Sequence, residues 1–166
     1  MDDKFQTGVV VGKFYPFHMG HSYLIDFAKK KCEKLFVVIT HKEGQEPDVN
    51  LREAWIRQLH PNVEVRRIDA TNVPDWNPIL WARLTMEAIG CRPSAAFSSE
   101  EYGKAWCHHM KCENVVVDLD RKKYPVSGTQ VRANPYEMLD LLPAPVREYY
   151  EKKARLDSQN QSDQCS

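Results

Sequence analysis

No apolar stretch of this 166-residue chain approaches the ~20 residues that a membrane-spanning helix needs. That predicts no membrane partner. Neither sign of charge is in excess, since Lys+Arg and Asp+Glu both total 23. Bulk charge therefore gives no case for a nucleic-acid partner and leaves room only for a local basic cleft. The five cysteines are odd in number and irregularly spaced, which does not describe a disulfide framework. The opening Met1-Asp2-Asp3-Lys4-Phe5 has no signal-peptide apolar core. Together these absences predict a protein of the reducing cytoplasm. The chain also has no internal repeat and no sign of a second domain.

Cys107-His108-His109-Met110-Lys111-Cys112 invites a zinc reading. Structural zinc sites join two ligand pairs from separate segments, whereas these four soft ligands crowd into one. The segment reads as the end of a helix and the turn into a strand, and no metal ligand is assigned.

The remaining composition, 42% hydrophobic and 28% charged, fits one globular domain. We assign it residues 1–156. Residues 157–166 are rich in Ser, Gln and Asp with little to bury, so they are expected to be a disordered tail.

Apolar runs alternate with helical patterns. Strands are predicted at Thr7–Gly12, Leu35–Thr40, Val63–Ile68, Ala95–Ser98 and Val115–Asp118. Helices are predicted at Tyr23–Lys31, Leu51–Leu59, Ile79–Ile89, Glu100–His109 and Pro143–Lys153. Asn50 with Glu53 reads as a capping box, and Gly90 as a helix stop. This alternation predicts an α/β fold, a Rossmann-like parallel sheet of about five strands with helices on both faces. Ligands then sit beyond the carboxyl ends of the strands.

Two segments at that edge carry chemistry. Gly12-Lys13-Phe14-Tyr15-Pro16-Phe17-His18-Met19-Gly20-His21 joins the first strand to the first helix. If that helix begins near Met19, His18 and His21 share its first turn and can address one phosphate. Ser127-Gly128-Thr129-Gln130-Val131-Arg132 starts with an N-cap and two hydroxyls; taken alone it reads as a helix cap followed by a surface arginine, and in company with the first segment as an anion cradle with Arg132 as a bidentate phosphate donor. Nucleotidyl transfer asks the protein mainly for positioning and charge compensation, which such groups supply.

His18-Met19-Gly20-His21 resembles the HxGH signature of the nucleotidyltransferase superfamily. Ser127 to Arg132 resembles the SGTxxR signature of its nicotinamide mononucleotide (NMN) adenylyltransferases. The longer string Gly12–His21, Ser98-Ser99-Glu100-Glu101-Tyr102-Gly103 and Asn134-Pro135-Tyr136 are similar to the adenylyltransferase domain of NadR-type proteins. The resemblance runs from about Val9 to Tyr150.

It implies the reaction ATP + NMN → NAD + pyrophosphate with Mg²⁺, by in-line attack on the α-phosphorus. His18 and His21 then stabilise the transition state, and Lys13 adds charge beside them. Gly12, Phe14, Tyr15, Pro16, Phe17 and Gly20 line the nucleotide cleft. Ser127, Gly128, Thr129 and Arg132 hold the departing phosphates. Arg52, Asp69, Trp76, Asn77, Ser98, Ser99 and Glu100 fall to NMN or NAD. Trp76 and Asn77 are preferred near the pyridinium, which an indole face attracts by roughly 0.5–2 kcal/mol. Trp81 lies within a helical pattern and reads equally as core. Arg52 reads either as a binder of the acceptor phosphate or as a solvated helix residue.

Proteins of this fold often form homo-oligomers, but no interface is legible here. NadR-type proteins usually carry a kinase domain, yet this sequence has no GxxxxGK[ST] pattern, so no kinase activity is expected. Two other readings compete: transfer to a different phosphate acceptor, and a non-catalytic module that senses NAD or ATP.

Overall fold

The structure, a computed structural model, describes residues 4–74, 77–100, 103–118 and 121–164, with backbone only for 161–164. Five strands carry the architecture: β1 (Phe5–Gly12), β2 (Cys32–His41), β3 (Glu64–Asp69), β4 (Ala95–Ser98) and β5 (Glu113–Val116). All pair in parallel, in the order β3-β2-β1-β4-β5. The order reverses between β1 and β4, which opens a crevice at their carboxyl ends. Six helices connect or cover the strands: α1 (Met19–Lys31), α2 (Val49–Leu59), α3 (Pro78–Ile89), α4 (Gly103–Met110), α5 (Gly128–Ala133) and α6 (Ala144–Gln164).

The sheet is apolar on both faces because alternate residues of a strand point to opposite sides. Val10, Val37 and Ile39 face a core that includes Ile25 of α1, Ile56 of α2 and Val146 of α6. Their neighbours Val9, Phe36 and Val38 face a second core with Ala82 and Ile89 of α3 and Trp106 and Met110 of α4. Buried His60 joins α1 to the end of α2. One ring nitrogen lies 3.0 Å from Ser22 Oγ and the other 3.3 Å from Asp26 Oδ1.

The predicted elements are present with shifted ends. Gly90 closes α3 in the left-handed conformation, as expected. Cys107 to Met110 end α4, and Lys111 and Cys112 make the turn into β5. The cap of α2 differs from the prediction. Asp48, not Asn50, accepts the Leu51 N–H, at 3.0 Å. Asn50 instead accepts from Arg67 on β3. β5 begins two residues earlier than predicted, because its register follows β4. Helix α6 continues to Gln164, across residues expected to be a tail without structure. Extending a formed helix adds one hydrogen bond per residue fixed, so polar helix formers follow once packing has anchored the first turns. No helix among the described residues is long and apolar enough to cross a membrane.

Asp48→Ala should lower the stability to urea by about 1 kcal/mol, and Asn50→Ala by less than about half of that. The reverse ranking would move the cap back to Asn50.

Candidate active site

The loop from Gly12 to His18 leaves β1 at the crevice and starts α1 with a reciprocal cap. His18 Nδ1 accepts the His21 N–H at 3.3 Å, and His21 Nδ1 accepts the His18 N–H at 3.2 Å. Each Nδ1 thus acts as an acceptor, which fixes the neutral tautomer and leaves Nε2–H on both rings as a donor. The rings stack with centroids 3.6 Å apart, and His21 is further packed between Phe14 and Phe17. Burial, together with the charge of Arg121, holds the His18 pKa down at about 3. His21 is lowered well below its ordinary value by burial, by His18 and by Arg121. Gly20 makes this packing possible. A Cβ there would lie 2.9 Å from His18 Cε1.

The second motif meets this loop across 117 positions of sequence. Arg132 Nη1 donates to the Tyr15 carbonyl at 2.5 Å, and its guanidinium lies 4.3 Å over the Tyr15 ring. Ser127 caps α5 reciprocally with Gln130. Gly128 packs so close to the loop that a Cβ would lie 2.5 Å from the Tyr15 carbonyl oxygen. Tyr15 also has Arg52 on its ring, at 5.2 Å.

Two clefts open on either side of this loop and share Val11, Gly12 and Lys13. The first, of about 350 Å³, collects His18, Gly20, His21, Phe14, Tyr15, Ser127, Gly128, Thr129 and Arg132. These are the residues that the two motifs single out. The second, of about 280 Å³, is lined by His41 at the end of β2, Lys42 and Gln45 after it, Ala70, Val73 and Pro74 after β3, and the indoles Trp81 and Trp106. A hydrogen-bond chain connects the two indoles: Trp106 Nε1 donates to Thr85 Oγ1 at 3.3 Å, which donates to the Trp81 carbonyl at 2.6 Å.

Several residues that the resemblance assigns to the acceptor lie outside the second cleft. Arg52 is fully buried and neither solvated nor open to either cleft. Its guanidinium donates to the Lys13 carbonyl at 2.7 Å and to Gln45 Oε1 at 3.1 Å, so it supports the loop from beneath. Asp69 accepts from the backbone and hydroxyl of Thr71 outside both clefts. Asn77 caps α3 through Oδ1. Ser98, Ser99 and Glu100 line the first cleft, beside the histidines, and not the second. Pro16 and Phe17 are buried behind the loop, and the Phe17 ring lies in the core. Trp76 lies outside the described residues.

Composition and spacing missed Trp106, whose helical pattern reads as core, and Arg121 and Tyr124 of the first cleft. Their one signal was position, in elements following strands at the carboxyl edge. Among the described residues no group of three His, Cys, Asp or Glu could hold a metal ion.

No family model matches the chain. The trifunctional NAD biosynthesis/regulator protein NadR of Salmonella typhimurium is 30% identical over 86% of this chain and 40% of its own length. The Escherichia coli protein of that name is 29% identical over the same shares. This chain therefore spans about two fifths of the length of these relatives. Among solved structures, NadR in complex with NR superposes with a TM-score of 0.63 at 20% identity, over 84% of this chain and 45% of that one. A bifunctional NMN adenylyltransferase/ADP ribose pyrophosphatase of Francisella tularensis, complexed with AMP and a manganese ion, gives 0.53 at 18% identity, over 69% and 37%.

The neutral histidines make stability depend on pH. The unfolded chain takes up protons at histidine near pH 6.5, whereas folded His18 does not until about pH 3. The stabilisation is fully present above about pH 6.5 and is lost as the pH falls from there. The urea midpoint should drop between pH 7.5 and 5, and should drop less in His18→Asn, which keeps a capping oxygen but does not titrate. Equal drops would remove His18 from that dependence.

Sequence and fold agree: over most of its length this chain is similar to the NadR proteins, and it shares the fold of their solved structures.

Proposed function

We propose that the chain transfers the adenylyl group of ATP to NMN, giving NAD and pyrophosphate. The observation that carries this is the pair of clefts that share the Val11–Gly12–Lys13 wall. A reaction that joins two phosphate-bearing substrates needs two adjoining sites with donors at the seam.

In this reading the triphosphate occupies the first cleft and enters as MgATP, its cation held by phosphate oxygens and water. The Nε2–H groups of His18 and His21 donate to the α-phosphate as charge builds on its oxygens. The N-terminus of α1 adds its positive end at the same place. Arg132, Ser127 and Thr129 hold the phosphates that leave, and Lys13 sits at the seam. The phosphate oxygen of NMN attacks the α-phosphorus in line, and pyrophosphate departs from the opposite side. No protein group need bond covalently to substrate.

The second cleft takes the nicotinamide in this reading. A pyridinium cation beside Trp81 and Trp106 gains from the indole faces, while His41, Lys42 and Gln45 offer polar contacts at its rim. The curated relatives are named for NAD biosynthesis, and solved neighbours hold NR, NAD and AMP-PNP, or AMP. NAD is the product of this reaction, AMP-PNP is an analogue of its ATP, and AMP carries the group transferred.

The test is NAD and pyrophosphate formation from MgATP and NMN, with CTP, nicotinate mononucleotide and pantetheine phosphate run beside them. Turnover with CTP, or with pantetheine phosphate and not NMN, would replace this function with transfer to another acceptor. His21→Ala should lower kcat by about a hundredfold or more while the Kd for ATP changes less than about tenfold. Equal loss of both would favour a binding module. Trp106→Ala should raise KM for NMN by about tenfold and leave kcat within about threefold. A lower kcat at unchanged KM would remove the indole from the acceptor site.

A further inference from the structure

We infer that Arg121 is a phosphate-binding residue of the first cleft, and that Glu100 is the positioning residue that restrains it until a triphosphate enters. The inference rests on the nucleotide reading of that cleft. Arg121 lies outside both signature motifs, in the turn that follows β5, yet it lines the same cleft as His18, His21 and Arg132. Its backbone takes a left-handed φ of +53°, as does Asp118 at +50°. Non-glycine residues are uncommon there and gather at ligand clamps.

Hydrogen bonds tie Asp118 to the backbone of residues 121–123. The Arg121 N–H donates to the Asp118 carbonyl at 2.9 Å, and the Asp118 carboxylate accepts the Lys122 and Lys123 N–H groups at 3.0 and 2.9 Å. These contacts fix the backbone position from which the Arg121 side chain reaches the cleft.

Two contacts hold its head. Nη1 donates to the Val126 carbonyl at 2.7 Å, next to the Ser127 cap, and Nη2 donates to Glu100 Oε1 at 2.8 Å. A guanidinium has five N–H donors, so others remain for a ligand. The side chains of Arg121 and Glu100 are 37% and 46% exposed, and exposed ion pairs of this kind are weak. A carboxylate on the wall of a polyanion cleft opposes the ligand, so phosphate in the cleft and the Arg121–Glu100 bond compete for one cation. The Arg121 charge also contributes to holding both histidines below their ordinary pKa, in keeping with its place in the cleft they line. A carboxylate partner keeps the empty cleft from holding an unpaired guanidinium. It also makes ligand binding exchange one anion for another.

The experiment measures binding of inorganic tripolyphosphate and of ATP to the whole chain by calorimetry, without acceptor. Arg121→Ala should raise Kd for both by about tenfold or more, since charge-assisted hydrogen bonds are lost. Arg121→Lys should fall between that variant and the parent, because it keeps the charge and loses the fork. Glu100→Gln should lower Kd by a few-fold, opposite in sign. A merely structural pair would weaken binding from both ends, so Glu100→Gln that weakens binding overturns the inference. Arg121→Ala within twofold of the parent overturns it equally. Should that variant not fold, Arg121→Gln takes its place with the same expectation. Should the parent bind tripolyphosphate and ATP but form no NAD, the proposed reaction fails while this assignment stands.

Discussion

Everything at the candidate site depends on the reciprocal cap between His18 and His21. One pair of hydrogen bonds starts helix α1, stacks the two rings, and leaves a donor on each. Two imidazolium ions could not share a 3.6 Å stack, and burial holds both rings neutral. Neutral rings with Nδ1 occupied offer Nε2–H to an incoming anion without rearrangement. The cap thus couples folding to chemistry: the interaction that satisfies the orphan amides of the helix also orients the donors.

Tyr15 is the second fixed point. It lies beneath two arginines, and its carbonyl receives Arg132 from the far end of the chain. Arg52 grips the Lys13 carbonyl from the core side. Seen in sequence, both arginines are candidate phosphate binders. In space one is buried scaffolding and the other stands at the cleft. The glycine of each signature has a steric reason as well, because a methyl group at position 20 would press on His18 and one at 128 on the loop carbonyl.

The fold was legible because its elements obey simple periods. Continuous apolar runs such as Val9–Val11 and Phe36–Ile39 suit a sheet covered on both faces, and the helical patterns between them demand crossovers. Boundaries were less legible. The sequence pattern placed the α2 cap at Asn50, whereas Asp48 caps the helix and Asn50 accepts from Arg67 of β3. Composition measures what can be buried, not whether an anchored helix will continue, and α6 runs on to Gln164.

The sequence by itself singled out most of the residues that line the first cleft. Its two signatures are local, each built around a helix cap, and caps are written in consecutive residues. Tertiary structure alone decided the rest of the site. Trp81 and Trp106 come from different helices, and Arg121 reaches Glu100 across 21 positions. It also moved Ser98, Ser99 and Glu100 beside the histidines and took Arg52 out of reach of solvent. Strand order is the physical reason. β1 lies between β2 and β4, so its loop separates two clefts: the loops after β4 and β5 line the first, the end of β2 and the loops after β2 and β3 line the second, and Trp106 of α4 joins the second. That order is fixed by packing between distant segments, which no local pattern records.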